Sequence, residues 1–152
     1  MNWTAAVWSG VIAGIVATAV QLALWSAGPD VLPEILYRDA RLTAAIVLGR
    51  SVLPPPATLA WGVMAVATLI HFALSIIYSM ILAGFIARLA VLPALLVGTG
   101  YGVALYVINL YGFTVIFPWF AASRDGITLL SHAVLGVIMA GAYKLWTRQR
   151  LD

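Results

Sequence analysis

The sequence predicts an all-α membrane protein: a four-transmembrane-helix bundle with an interfacial amphipathic helix in the first loop. Three observations carry that prediction. The 152 residues are 64% hydrophobic and only 9% charged, with a mean hydropathy of +1.06, too apolar for a soluble domain of this length. Four apolar stretches are each long enough, at about 1.5 Å rise per residue, to cross a hydrocarbon layer of about 30 Å. Between them, the interval 27–56 collects Asp30, Glu34, Arg38, Asp39, Arg41 and Arg50 ahead of Pro54-Pro55-Pro56. The whole of 1–152 then forms a single integral membrane domain, because four spans bury one another without a separate soluble unit.

The first span is placed at about residues 5–26. It has no Lys or Arg ahead of it and no small-x-small cleavage pattern after it, so it is expected to stay as a helix rather than act as a signal peptide. Gly10, Gly14 and Thr18 recur every four residues and make a smooth stripe for close helix approach, within the chain or between copies. Gln21 follows on the same side, a candidate for an interhelical hydrogen bond or for a pocket wall, and Trp25 reads as an interfacial anchor. In the loop 27–56, Asp30 can cap a helix and Glu34 stands four residues before Arg38, so a helix over 32–48 is expected to lie on the bilayer as a cover or a lid.

The second span, about 58–88, is overlong and must tilt or project. Its apolar run is broken on one stripe by His71, Ser75 and Tyr78. A short turn and Pro93 open the third span, about 92–117, making an antiparallel hairpin of the two. The third carries Gly98, Gly100 and Gly102 for packing, then Tyr101, Tyr106, Asn109 and Tyr111, and stops at Pro118. The fourth, about 126–146, carries His132 and closes on Lys144, Arg148 and Arg150, a basic end that reads as a cytoplasmic anchor.

Charge and cysteine usage narrow the functional classes. The Lys and Arg residues number 8 against 5 acids and are scattered, so the pI of about 9.6 reflects membrane-surface electrostatics rather than a nucleic-acid-binding patch. With no cysteine, disulfides, thiolate metal sites and thiol catalysis are excluded. Basic residues divide evenly between the two sides of the membrane. Those near the termini sit closer to the spans, which favours cytoplasmic termini in an inner-membrane, multi-pass protein.

Depth along the helices gathers the polar residues. Counted from the loop end of each span, Gln21, His71, Asn109 and His132 all fall in the same half of the membrane, one from each helix. Facing inward together is the low-cost arrangement for such residues, so a pocket lined by Gln21, His71, Ser75, Tyr78, Tyr106, Asn109 and His132 is expected. Its occupant is open. His71 and His132 on different helices suit the axial positions of a b-type haem, which makes electron transfer an alternative function and these two the only metal ligands to consider. A proton or small-solute path through His71, Tyr78 and His132 is a further alternative, although no carboxylate lies within the spans. The remaining reading has the imidazoles fixing helix register through hydrogen bonds. No catalytic residue is assigned: Ser131 and His132 are adjacent and diverge by about 100° on a helix, and Ser75 with His71 lacks an orienting carboxylate.

The motifs Gly10-Val-Ile-Ala-Gly14, His71-Phe-Ala-Leu-Ser75-Ile-Ile-Tyr78, Phe117-Pro118-Trp119-Phe120 and Ser131-His132 together resemble those of the YagU-type inner-membrane proteins. The resemblance implies a four-span inner-membrane protein of a family without a defined biochemical activity. The functional expectation is therefore a small non-catalytic membrane protein, a ligand-binding or accessory subunit. Its expected partners are the lipid bilayer and either a larger membrane complex or further copies of itself, with no nucleic acid.

Overall fold

A computed structural model describes residues 1–28 and 32–148. Among the described residues the fold has five α-helices: α1 (Trp3–Ala27), α2 (Glu34–Leu48), α3 (Trp61–Ile86), α4 (Val91–Val107) and α5 (Gly126–Arg148). The third span extends beyond α4 through a π-turn at Ile108–Gly112 and a 3-10 turn at Phe113–Val115, so the four candidate spans are Trp3–Ala27, Trp61–Ile86, Val91–Val115 and Gly126–Thr147. The expected spans are all present, displaced by only a few residues at their ends. The cap expected from Asp30 lies outside the described residues.

The helix ends explain why the spans stop where they do. Asn2 caps α1 through its side-chain oxygen, which accepts from the Ala5 amide at 3.0 Å. Asp125 does the same for α5, its Oδ1 accepting from the Thr128 amide at 2.7 Å while Oδ2 accepts from the Thr128 hydroxyl. At the far end of α3, Lys144 reaches across from α5 and donates to the carbonyls of Ala87 at 3.2 Å and Leu89 at 2.6 Å. The cation thus satisfies carbonyls at a helix C-terminus, where the macrodipole favours positive charge. Lys144 is buried, a structural cap as well as a basic terminal-side residue.

The bundle is built on small residues. The stripe of Gly10 and Gly14 packs inside the chain, against α3: a Cβ at Gly10 would lie 2.7 Å from the Ile76 Cα, so only glycine allows the approach. On the other side of the molecule, a Cβ at Gly102 or Gly136 would strike the backbone of the facing helix, at His132 O and Gly98 O respectively. These glycines set the α4–α5 crossing. The most extensive packing is α4 on α5, α1 on α5 and α1 on α3, whereas the hairpin neighbours α3 and α4 touch little. The expected hairpin is therefore connected by its turn but held together mainly through α1 and α5. Leu82, Ile86 and Met139 fill the interior near the termini, and Leu69, Ile77, Phe85, Leu92 and Leu96 face outward as a lipid-contacting surface.

Helix α2 lies over the loop ends of the spans. Ala40 and Ala44 pack on Ala67 of α3. Arg41 ties down the following segment by donating to Val52 O at 3.1 Å and Thr58 O at 3.0 Å, and the Trp119 indole donates to Leu42 O at 2.9 Å. The expected Glu34 and Arg38 pairing gives way to a closer one, Arg38 Nη2 with Asp39 Oδ1 at 2.9 Å. Trp25, expected at the interface, is buried at 3% exposure beneath this roof; Trp61, at 78%, is the outward-facing indole of the loop side.

Candidate functional site

The loop-side half of the bundle encloses a cavity of about 390 Å³. Each helix contributes a polar wall: Gln21 from α1, His71, Ser75 and Tyr78 from α3, Asn109 from the π-turn and His132 from α5. Aromatic and aliphatic side chains fill the gaps, among them Leu74, Phe113, Phe117, Phe120 and Leu135. Six of the seven residues expected from depth alone share this cavity. The seventh, Tyr106, does not line it; buried behind the wall, its ring meets His132 edge-on at 5.8 Å and Tyr111 at 6.0 Å.

Hydrogen bonds give the wall a direction. His132 Nδ1 lies 2.8 Å from Thr128 O, and a carbonyl can only accept, so Nδ1 carries the proton and Nε2 keeps its lone pair. That Nε2 is 3.5 Å from Asn109 Nδ2, an amide donor. Asn109 Oδ1 accepts from the Tyr78 hydroxyl at 2.9 Å, and the Tyr78 carbonyl accepts from the Tyr101 hydroxyl at 3.1 Å. One chain of donors and acceptors thus joins α5, the π-turn, α3 and α4. The π-turn is what aims Asn109: its wider turn displaces the side chain from the straight α-helical path. Arg124 supports it, with Nε donating to Leu110 O at 2.7 Å and its guanidinium 4.3 Å from the centre of the Tyr111 ring.

His71 has the opposite tautomer. Its Nε2 is 3.3 Å from Gly14 O, again an obligate acceptor, and 3.3 Å from Thr18 Oγ1. Nδ1 is then the lone-pair nitrogen, with no hydrogen-bond partner among the described residues. Gly14 makes this geometry fit, since a Cβ there would lie 3.1 Å from His71 Nε2 and 3.2 Å from Ser75 Oγ. The lone pairs left for a metal are thus His71 Nδ1 and His132 Nε2, the latter facing an amide donor. No group of three or more His, Cys, Asp or Glu able to hold a metal ion exists among the described residues.

Asp39 was not expected here. Carried by α2, it lines the same cavity as both histidines and supplies the carboxylate that the spans themselves lack. Its Oδ1 accepts from Arg38 Nε at 3.1 Å and Nη2 at 2.9 Å and from Ser123 Oγ at 3.5 Å, while Oδ2 has no partner among the described residues. Burial pushes the Asp39 carboxyl above the usual carboxylate value of 3.8, against the pull of the adjacent Arg38 guanidinium. A sequence signal for it existed only as a phase: on a helix over 32–48, Asp39, Leu42, Thr43 and Ile46 share one face. That face is the one over the cavity.

No family model, curated protein or solved structure matches the chain. What the site can do is therefore read from its own chemistry. Gln21 and Ser75 make no side-chain hydrogen bond among the described residues, and with Asp39 Oδ2 and His71 Nδ1 they leave hydrogen-bonding capacity around an apolar interior. An arrangement of this kind, a few convergent polar groups around a mostly apolar space, suits recognition.

Proposed function

We propose that this small integral membrane protein is non-catalytic and binds a ligand in the loop-side cavity, acting alone or as an accessory subunit of a larger membrane assembly. One observation carries the proposal: Gln21, Ser75, His71 Nδ1 and Asp39 Oδ2, from three different helices, have hydrogen-bonding capacity unspent around one space of about 390 Å³. Ligand pockets span about 300 to 1,000 Å³, are mostly apolar and carry a few such convergent polar groups. Placement among YagU-type inner-membrane proteins, with cytoplasmic termini, is part of the same proposal and rests on the sequence motifs and on the distribution of basic residues.

Native mass spectrometry of the chain extracted gently from its own membrane tests the reading. A bound non-protein mass is expected, and it should disappear in Ser75→Phe, which fills the cavity from the wall. Wild-type chain that is consistently bare overturns the proposal. The same preparation addresses haem ligation by His71 and His132: a Soret band lost on replacing either histidine supports it, and a colourless folded preparation removes it.

A second reading, a proton path, is favoured by Asp39, the carboxylate sharing the cavity with both imidazoles. Proton flux into vesicles containing the purified chain should fall in Asp39→Asn and in His71→Ala. Flux unchanged in both variants rules this reading out.

A further inference from the structure

A second cavity, of about 470 Å³, lies between α1, α2 and α3 and shares Thr18, Gln21, Asp39, Thr43 and His71 with the first. The two spaces therefore meet at the polar end of the site. Their outer ends differ. The second is walled by Ile15, Ala19, Leu22, Thr68 and Phe72, of which Ile15, Ala19 and Thr68 are exposed on the flank of two membrane-spanning helices. An opening on that flank faces hydrocarbon rather than water.

The glycine stripe explains the opening. At Gly10 the backbones of α1 and α3 meet; at Gly14 only side chains of α3 (His71, Ser75 and Phe72) come within reach, and from there toward Gln21 the second cavity lies between the two helices. Leu36, Asp39, Ala40 and Thr43 of α2 roof that cavity. The result is a slot that is apolar along its length, open to the bilayer at one end and polar at the other.

The chemistry of the polar end selects the head group. Among the described residues neither cavity is lined by Lys or Arg, and the nearby Arg38 is already paired with Asp39 at 2.9 Å, so a phosphate or carboxylate would be buried without a cation of its own. The unspent groups at the junction, Asp39 Oδ2 and His71 Nδ1, are acceptors, and Gln21 beside them can both donate and accept. They call for a head that donates hydrogen bonds, and because Arg38 already supplies the countercharge of Asp39, an uncharged donor fits where a second buried cation would not.

We infer that the slot between α1 and α3, roofed by α2, is a lateral portal through which a neutral, hydroxyl-headed, single-chain amphiphile enters from the bilayer, its head at Asp39, His71 and Gln21 and its chain between Ile15, Ala19 and Phe72. This rests on the ligand-binding reading above and names the class of ligand and its route. The apolar chain stays in an apolar environment throughout, so only the head is desolvated on entry.

Photo-crosslinking of the full chain in phosphatidylcholine nanodiscs tests it, with two probes carrying the same mid-chain diazirine: a monoacylglycerol and the corresponding fatty acid. The monoacylglycerol should label Ile15, Ala19, Leu22 or Phe72 at least about five-fold more than the fatty acid does. Ala19→Trp, on the exposed lip of the slot, should abolish this labelling, and Thr68→Trp on the opposite lip provides the same block should either variant fold poorly. Equal labelling by both probes, or labelling confined to outward residues such as Leu69 and Phe85, overturns the portal. Failure of the parent reading looks different: native mass spectrometry then shows no bound mass at all. A bound mass that proves anionic, or whose loading Ala19→Trp leaves unchanged, keeps ligand binding and overturns the portal.

Discussion

Asn109 is the residue on which the polar wall turns, because its amide serves two different helices at once. It accepts from Tyr78 at 2.9 Å and presents its NH₂ to His132 at 3.5 Å. Tyr78→Phe and Asn109→Ala should therefore be non-additive, with a coupling of about 0.6 kcal/mol, the mean for hydrogen bonds between membrane helices, and at most about 1.7 kcal/mol in a thermal or denaturant unfolding cycle. Strict additivity would mean that the bond does not contribute. Asp39 supplies a different signature. Its carboxyl is raised by burial, so between the ordinary value of 3.8 and the raised one the folded chain holds more protons than the unfolded chain. Stability should accordingly fall as pH rises through that window, and Asp39→Asn should flatten the dependence; melting temperatures measured in detergent across the acidic range check the sign. Asp39 was hard to find from sequence for a physical reason. Asp30 read as a cap, Glu34 as a partner of Arg38 and the helix as a cover lying on the bilayer, and only the docking of α2, held by Trp119 and Arg41, turns Asp39 inward.

At the scale of elements, close approach is fixed by which glycines have backbone in front of them. Gly136 and Gly102 face the neighbouring backbone, whereas nothing lies within 4 Å of a Cβ placed at Gly84 or Gly100. Gly136→Ala should thus cost about 1 to 3 kcal/mol by overpacking the α4–α5 crossing. Gly84→Ala or Gly100→Ala should be neutral or stabilise by up to about 1 kcal/mol through helix propensity alone. The packing expected of Gly10, Gly14, Gly98 and Gly102 is present, whereas Gly100, expected to pack with them, faces open space; the partner Gly136 was not legible, since a lone glycine in an apolar run carries no spacing to recognise. The π-turn was equally hidden, because hydropathy is blind to a change from i→i+4 to i→i+5 bonding. Helix α2 was predicted in place and almost in register, yet its docking depends on contacts that cross the fold. Arg41→Ala removes donors to Val52 O and Thr58 O and should raise amide exchange over 34–48 selectively, with exchange in α4 and α5 unchanged.

For the whole molecule, four candidate spans put residues 1–2 and the turn at 87–90 on one side of the membrane and the segment 49–60 on the other. The absence of native cysteine makes this directly measurable. Single cysteines at Asn2 and Arg88 should react with an impermeant thiol reagent from the same side, and one at Ser51 from the opposite side. This much followed from hydropathy, as did the common depth of His71 and His132, because segment length and helical rise are properties of the chain alone. Who packs on whom did not follow: α3 and α4 are neighbours in sequence yet meet mainly through α1 and α5. Lys144 gives that arrangement a mechanical meaning. By gripping the carbonyls at the end of α3 from α5, it clamps the terminal-side half of the bundle, where Leu82, Ile86 and Met139 are fully buried. Packing is thus graded across the bilayer, dense at the leaflet where Lys144 closes the bundle and hollow beneath α2, where both cavities lie, so the molecule is built like a cup with a solid foot.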